Sequence, residues 1–437
     1  MHESIPSVRK RSWVSRGGVS FILVLMFVAG SAVSRAGEPE GASPASKATA
    51  VDPASSPSPE GKAKAEAKSD PSYLSLGKGF EIRLYGHLRL DGAWDDAETN
   101  NGNTAMWVKR DQDKEELNLT PRHTRIGLDF KGPKTFGVSP TGKIEVDFYG
   151  KGSNSEVLEN LRLRHAFLKF DLGSGFSLLA GQWFDLHGRL FMRTLNTAVG
   201  WNHGNLCFRR PQVRLSEKIA LGKKASILAE AGLARAIGKM NGGDLDGADP
   251  KNDDGEDAAR PDVQLNVTLS FPSPGGGKKP VQLMFGGHYG QEHLKTVPRF
   301  IESWSWVAGL AFPLGKVFRL EGEVWMGSDI DAYRGGINQG YNAAKDREVL
   351  SRGGFLQAVV GPLGPLTLAT GAGVDDPHNS HVPTNKPSLN RSFFANAKLR
   401  VCKGGWIGLE FQRFWTEYRR SDTAMSNRIQ VTFYLKY

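Results

Sequence analysis

Residues 427–437 read NRIQVTFYLKY, with apolar side chains at every second position. Ile429, Val431, Phe433 and Leu435 share one phase, and polar residues and Tyr434 occupy the other. Successive side chains of a strand point to opposite faces, so this stretch predicts a β-strand with one apolar and one polar face. Chain termini usually fray, and a terminal strand that keeps its pattern must therefore be held by neighbouring strands.

The same alternation recurs upstream, most cleanly in DVQLNVTLSF at residues 262–271. With the terminal strand, about sixteen such segments can be counted, an even number within the range of bacterial outer-membrane barrels. Short connections such as DLGSG, LGKK and CKGG alternate with long polar loops, for example residues 95–119 and 328–352. Such alternation of short and long connections is typical of outer-membrane barrels, which have short periplasmic turns and long external loops. The sequence predicts an all-β protein, a transmembrane antiparallel β-barrel whose last strand pairs with its first.

Composition agrees with a barrel better than with a helical membrane protein. Only 39% of the residues are hydrophobic, and the mean hydropathy is -0.38. Tryptophans collect near the ends of the alternating segments, as at Trp94, Trp183, Trp325 and Trp415. Aromatic residues at both ends of an apolar band are favoured in the headgroup region of a membrane. The alternative is a soluble all-β sandwich, whose strands are also half polar.

The N-terminal part divides into two segments before the barrel. Residues 1–36 place four basic residues ahead of the apolar run GGVSFILVLMFVAGSAV, followed by small residues, which predicts a secretory signal peptide. Residues 37–72 are rich in Pro, Ala, Ser and Lys and lack apolar periodicity, which predicts a disordered periplasmic tether. The barrel is expected over residues 73–437. The protein is therefore expected in the outer membrane of a Gram-negative type cell.

The charge balance suggests which solutes meet this protein. The chain carries 56 Lys and Arg against 46 Asp and Glu, a formal net charge of +10. In an exported protein this excess favours anionic solutes or lipid headgroups over nucleic acid as partners.

Several stretches resemble the DcaP-like family of Gram-negative porins. They are LYGHLRLDGAW at 84–94, RHTRIGLDFKGP at 122–133, RHAFLKFD at 164–171 with LLAGQWFD at 178–185, LNTAVGWNHGNLCFRRPQVRL at 195–215, and GVDDP at 373–377. The likeness spans roughly residues 80–437, and phosphate-selective porins of the O/P type are the next most similar class. The terminal segment ending at Tyr437 also resembles the signal that the barrel-assembly machinery reads.

The resemblance implies a sixteen-stranded trimeric barrel that passes small, preferentially anionic molecules. It implies a homotrimer embedded in outer-membrane lipids, with no enzymatic activity. In general porins the third long connection folds into the lumen, and here this is the segment from Leu186 to about Phe208. An arginine-rich constriction is expected around it, because guanidinium groups offer forked donors that match carboxylate or phosphate.

Candidate residues that line the pore come from that loop and from the strand positions whose side chains are expected to face the lumen. The loop and the strand that follows it supply Arg189, Arg193, Arg209, Arg210, Gln212 and Arg214. Parity adds Arg83, His87 and Arg89 on the first strand, Arg125 on the second, and Arg319 and Arg400 later in the chain. Arg162 and Arg164 lie where the alternation changes phase, so a bulge or the membrane boundary is expected there.

Acidic residues at inward-facing strand positions leave other functions open. Asp129, Glu145, Asp147 and Glu321 should also point inward and could neutralise the arginines. A broadly unselective general porin is then the first alternative. An embedded outer-membrane enzyme and a structural anchor using the tether are alternatives from other classes.

Motifs for catalysis or cofactor binding are missing from the sequence. We find no nucleophile elbow, paired-cysteine motif, phosphate-binding loop or metalloprotease motif, so no catalytic residue, metal site or cofactor is predicted. The acidic stretch at 244–257 does not have the spacing of an EF-hand loop. Cys207 is expected in the loop that folds into the lumen and Cys402 at a periplasmic turn, too far apart to form a disulfide.

Overall fold

The computed structural model describes residues 72–110, 114–150, 160–238, 253–294 and 299–437. The predicted signal peptide and nearly all of the predicted tether lie outside these residues and remain predictions. Of the described residues, 64% lie in strands, which form a closed antiparallel barrel of sixteen strands. No helix in the described ranges is long and apolar enough to cross a membrane.

The described residues contain twenty strands, whose bounds follow in chain order. They are β1 (Leu74–Gly77), β2 (Phe80–Asp95), β3 (Glu116–Thr120), β4 (Arg125–Lys131), β5 (Ser139–Asp147), β6 (Arg162–Gly173), β7 (Phe176–Phe184), β8 (Arg209–Leu221), β9 (Ala225–Ala234), β10 (Asp262–Phe271), β11 (Val281–Leu294), β12 (Arg299–Leu314), β13 (Phe318–Ser328), β14 (Tyr341–Asn342), β15 (Arg347–Glu348), β16 (Leu350–Leu363), β17 (Leu366–Pro377), β18 (Pro387–Cys402), β19 (Gly405–Tyr418) and β20 (Thr423–Lys436).

The twenty strands fill sixteen positions in the barrel, because some of them are short and do not form a barrel strand of their own. β3 and β4 both pair with β2 and share one position, β1 extends the edge of β2, and β14 pairs with β15 in a loop. In the part of the chain that the structure describes, the helical elements are one short α-helix and five 3₁₀ turns: α1 (Asp254–Asp257), Gly102–Thr104, Pro274–Gly276, Asp331–Tyr333, Gly336–Asn338 and Ala343–Lys345.

The terminal strand closes the barrel against the first. β20 pairs antiparallel with β2 from His87 opposite Lys436 to Asp95 opposite Arg428. Tyr437 donates its backbone N–H to the carbonyl of Gly86 at 3.2 Å. The pattern of residues 427–437 therefore persists to the last residue because both edges of the strand are hydrogen-bonded, to β2 and to β19.

Side-chain exposure follows the predicted alternation. On the outer face of the closing strands, Leu84 is 60% exposed and Phe433 is 50% exposed, although both are large and apolar. On the inner face, Asp91 and Thr432 are buried and hydrogen-bonded to each other at 2.6 Å. An apolar outside with a polar inside is the arrangement of a transmembrane barrel. The predicted fold class is confirmed.

The packed interior is formed by loops that fold inside the barrel. Residues 185–208, called the inward loop below, connect β7 to β8, and residues 329–340 after β13 form a second inward segment. Three apolar clusters pack these segments and the first long loop against the wall. Their members are Leu190, Met192, Met284, Ala311, Phe355, Ala369 and Phe394; Leu206, Val307, Trp325, Ile330, Ala332 and Tyr333; and Ala97, Ala105, Val108 and Phe414.

Candidate pore constriction

The inward loop is anchored by polar side chains that project from the barrel wall. Amide and carboxylate oxygens on the wall accept its backbone N–H groups, which would otherwise be buried without a partner. These bonds run from Leu186 to Gln264 at 2.8 Å, Arg193 to Gln357 at 2.7 Å, Leu195 and Asn196 to Glu410 at 2.6 and 3.1 Å, and Leu206 to Glu323 at 3.1 Å. The loop is therefore a fixed part of the lumen.

Two glycines let the tip of the loop approach the opposite wall. The carbonyl oxygen of His203 lies 2.1 Å from the point where a Cβ of Gly373 would stand. Gly204 adopts a φ of +136°, and the carbonyl oxygen of Gly354 lies 2.6 Å from the point where a Cβ of Gly204 would stand. Trp325 donates its indole N–H to the Gly204 carbonyl at 2.8 Å. The loop thus spans the lumen from β7 to β16 and β17.

The second inward segment packs against the base of this loop. The ring of Tyr333 lies 3.9 Å from the ring of His288, and the guanidinium of Arg210 lies 3.7 Å from the Tyr333 ring centre. The Tyr333 hydroxyl donates to Asp262 at 2.5 Å. Sequence reasoning did not foresee this segment, because a loop without periodicity gives no sign of which way it folds.

Six arginines on one side of the lumen form what we call the basic wall. They come from β2, β4, β6, β8 and the second inward segment, and each interacts electrostatically with at least one other member: Arg89, Arg125, Arg162, Arg164, Arg209 and Arg334. Burial and the charge of Arg162 lower the pKa of Arg334, which lies outside the strands, to about 9. Arg334 therefore still carries its positive charge at neutral pH.

Carboxylates offset part of this charge. Arg164 contacts both Glu145 and Asp147 at 2.8 Å. Arg162 contacts Asp147 at 2.7 Å, and Arg125 lies 3.6 Å from Glu145. Three guanidinium groups thus share two carboxylate groups, which leaves a net positive charge on this set of five side chains.

Arg89 adds a link between the basic wall and the inward loop. Its guanidinium contacts Asp91 at 2.8 Å and donates to the Leu195 carbonyl at 2.5 Å. The backbone of the loop is therefore held directly beside the arginines.

Arg209 differs from the other members of the basic wall. Within the part of the chain that the structure describes, no carboxylate lies at ion-pair distance from it. Its guanidinium lies over the rings of Phe184 and Phe208, at 5.5 and 5.1 Å from their centres, and the residue is 6% exposed. The guanidinium of Arg209 is therefore held by aromatic rings, and the charge of Asp147 acts on it from beyond ion-pair distance.

Arg210 and its neighbours on β8 are engaged elsewhere. Arg210 is completely buried between Asp185, at 2.8 Å, and Asp262, at 3.0 Å. Gln212 donates to the carbonyl of Trp183 at 3.1 Å, and Arg214 donates to Gln212 at 2.8 Å. These side chains point inward as predicted by parity, but they bind protein groups behind the inward loop.

The remaining arginines of the inward loop are also paired with wall carboxylates. Arg189 contacts Glu230, and Arg193 contacts Glu321 at 3.1 Å. Arg319 on β13 approaches the same Glu321 at 3.1 Å. Arg193 and Arg319 therefore share one carboxylate.

Two predicted residues, Arg83 and Arg400, lie toward the end of the barrel with short turns. Arg83 contacts Asp129 at 2.6 Å. Arg400, two residues from the end of β18, is exposed and donates to the Gly364 carbonyl at 3.4 Å. The structure does not bring these two to the inward loop. His87, by contrast, pairs in register with Arg125 and interacts electrostatically with Arg89, so it lies beside the basic wall, where it is hydrogen-bonded to the carbonyl of His123 at 2.8 Å.

Arg162 and Arg164 lie beside the expected bulge. The register between β5 and β6 shifts between Glu145 and Val146, opposite Arg164. This shift keeps Arg162 and Arg164 on the inner face although the apolar parity changes after them.

Comparison of this chain with solved structures identifies its fold. No protein-family model and no curated protein matches the chain. Among solved structures, the outer-membrane channel DcaP of Acinetobacter baumannii is similar at 17% identity, over 82% of this chain and 98% of that chain, with a TM-score of 0.65. The chain has the fold of a sixteen-stranded porin. The resemblance to DcaP is confirmed at the level of the fold.

Other porins share this fold at lower similarity. The anion-selective porin from Comamonas acidovorans has 10% identity over 82% of this chain and 100% of that chain, with a TM-score of 0.54. Salmonella typhi OmpF, in a complex with daunomycin, has 11% identity over 84% of this chain and 100% of that chain, with a TM-score of 0.51. At these identities the shared property is the porin fold.

Proposed function

We propose that this protein is an outer-membrane porin that passes small hydrophilic solutes by passive diffusion and favours anions. The porin fold, the apolar outer face and the polar interior support a water-filled path across a membrane. The similarity to a channel and to an anion-selective porin supports the same class. The proposal includes export by the predicted signal peptide, insertion through the terminal strand and assembly as a homotrimer.

The observation that carries the anion preference is Arg209 within the basic wall. An anion about 4 Å from one guanidinium gains about 4 kcal/mol at the effective dielectric constant near a protein surface. Arg209 has no carboxylate at ion-pair distance in the described residues to reduce this attraction. Arg162 and Arg164 interact electrostatically with Arg209, and their positive charges add to its attraction for an anion.

Rapid passage requires that the anion also leaves the constriction. Conduction depends on binding that is strong enough for entrance and weak enough for release. Glu145 and Asp147 already occupy donors of Arg125, Arg162 and Arg164. A carboxylate or phosphate solute would therefore exchange among partly satisfied guanidinium groups, which keeps each bound state short.

An unselective general porin is the second candidate, and the shared carboxylates favour it. If Glu145 and Asp147 cancel the field of the basic wall, cations and anions of equal size would pass at equal rates. An embedded enzyme or a structural anchor finds no comparable support in the geometry of the site.

Solute flux into proteoliposomes tests the proposal. We expect a small monocarboxylate to enter faster than its neutral amide, and the amide faster than a primary amine of the same length. Arg209→Gln should reduce the advantage of the carboxylate. Arg391→Gln is the matched control, because Arg391 lies exposed on β18 in the same phase as the exposed Phe393 and pairs with Glu417. Equal rates for the three solutes would favour the unselective porin.

A further inference from the structure

One arginine lies on the outer face of the barrel, where the preceding residues of its strand are apolar. Along β19, Ile407, Leu409 and Phe411 are exposed and alternate with buried residues that face the lumen. Arg413 is the next residue in the exposed series, and the residue after it, Phe414, is completely buried in the interior. Because successive side chains of a strand point to opposite faces, Arg413 points away from the lumen.

Arg413 has no acidic partner at ion-pair distance in the part of the chain that the structure describes. Its guanidinium lies 5.2 Å from the centre of the Trp415 ring, and one of its amino groups lies 3.7 Å from Sδ of Met425, a weak acceptor. Its Nε is buried without a hydrogen-bond acceptor. By contrast, Arg391 on the neighbouring β18 contacts Glu417 at 2.8 Å. The guanidinium of Arg413 therefore keeps donors for a group outside the chain.

The place of Arg413 along β19 is that of a membrane surface. On one side of it the outer face of the strand is apolar, and on the other side Trp415 and then Glu417 follow. Aromatic side chains favour the headgroup region, and a charge on the lipid-facing side is least costly there. β19 begins after the short turn at residues 403–404, so Arg413 lies toward the end of the barrel with long loops.

Four further cations gather at the same end of the barrel. They are called the basic rim below and comprise Lys345, Arg347, Arg419 and Arg420. The charges of the three arginines all act on Lys345. Asp346 and Glu348 lie in the same loop, but they contact Arg299 at 2.8 and 3.0 Å. Asp422 is the one acidic residue of the connection 419–422, so the basic rim keeps a positive excess.

We propose that Arg413 and the basic rim bind an anionic glycolipid of the surrounding membrane through the phosphate groups of its headgroup. The forked donors of a guanidinium match two oxygens of a phosphate, and clusters of basic residues at a membrane surface attract anionic headgroups. Phe411 and Met425 are exposed beside Arg413 and would lie against the acyl chains. A soluble anion would leave these apolar side chains uncovered, which favours the lipid as the occupant.

The inference rests on the proposed location in an outer membrane and not on the proposed anion preference. Arg413 and the inward loop lie on opposite faces of the barrel wall, so Arg413→Gln should leave the reversal potential of the pore unchanged. Loss of lipid binding and loss of anion preference are therefore separate results. A second copy of this chain is the alternative occupant of this face, with a carboxylate of the partner in the place of the phosphate.

Native mass spectrometry of the detergent-purified protein with added lipid A tests the site. Lipid A is a phosphorylated glucosamine disaccharide with acyl chains, and it is compared with the same lipid after removal of its phosphate groups. EDTA is present, so that divalent cations cannot link phosphate to carboxylates. We expect the phosphorylated lipid to bind about tenfold more tightly, because charge-assisted hydrogen bonds are about twice as strong as neutral ones. Arg413→Gln should lose most of this preference.

A pair of double variants tests the basic rim. Arg419→Gln with Arg420→Gln removes two cations of the rim and should weaken the preference for the phosphorylated lipid. Lys223→Gln with Lys224→Gln is the matched control, because these exposed lysines lie in the short turn between β8 and β9 at the other end of the barrel. The control should keep the full preference.

Three results would overturn the proposal. The first is equal binding of the two lipid forms by the unmodified protein. The second is a preference for the phosphorylated form that Arg413→Gln leaves intact. The third is a lower oligomeric state in Arg413→Gln without any change in lipid binding, which would assign this face to a second copy of the chain.

Discussion

Arg210 and Asp185 form a completely buried ion pair, with Nε of Arg210 2.8 Å from Oδ1 of Asp185. The adjacent residue, Arg209, has no carboxylate at this distance in the described residues. Two neighbouring arginines therefore have different roles. Arg210 fastens the inward loop to the strands behind it, whereas Arg209 is held by the rings of Phe184 and Phe208.

Arg210→Ala should destabilise the barrel. Removal of one partner from a buried pair leaves Asp185 and Asp262 without their cation, which costs about 3–5 kcal/mol. Equilibrium unfolding in denaturant measures the loss. Arg391→Ala, which breaks the exposed pair with Glu417, should cost about 0–1 kcal/mol. Equal losses in the two variants would contradict the structural role of Arg210.

Glu410→Ala should loosen the inward loop. Its carboxylate accepts the backbone N–H groups of Leu195 and Asn196, and each buried donor left unsatisfied costs about 1–3 kcal/mol. We expect noisier single-channel currents and a higher mean conductance. Glu410→Gln keeps one acceptor and should show an intermediate effect. Currents as quiet as those of the unmodified protein would show that the loop is held by other contacts.

Gly373→Ala should displace the tip of the inward loop. The added methyl would stand 2.1 Å from the His203 carbonyl oxygen, which real Cβ contacts do not tolerate. We expect a cost of about 1–3 kcal/mol in unfolding free energy and a changed conductance. Gly92→Ala is the control, since its nearest neighbour would be Leu119 at 3.5 Å. If Gly373→Ala behaves like Gly92→Ala, the loop does not make this contact.

The anion preference should weaken as salt rises. At about 0.1 M the Debye length is about 10 Å, and at 1 M it is about 3 Å. Arg209 and the basic wall act on a solute through this screened field, so the anion-to-cation permeability ratio should fall toward one at high salt. A ratio independent of salt would point to selection by size or by direct hydrogen bonds.

The sequence predicts the barrel and the face of each strand because the strand period is local. Gln212 and Arg214 point inward, and Val213 and Leu215 are exposed on the outside, as parity requires. The unpaired state of the cysteines is likewise observed, with Cys207 buried and Cys402 exposed. These features need only neighbouring residues.

The partners of each charge could not be predicted in the same way. Asp262 reaches Arg210 from another strand, and this contact depends on register and on the fold of two loops. Arg334 joins the basic wall from a loop position with a φ of 70°, for which periodicity gives no signal. Glu292 near the end of β11 and Asp329 after β13 come within hydrogen-bonding range of each other, a contact between segments far apart in the sequence.

The reversal potential across a planar bilayer under a salt gradient is the decisive measurement of anion preference at the basic wall. We expect discrete conductance steps and a potential whose sign shows faster passage of the anion, with a smaller magnitude in Arg209→Gln and an unchanged one in Arg391→Gln. A potential of the opposite sign, or one that Arg209→Gln leaves unaltered, would contradict an anion-favouring constriction at the basic wall.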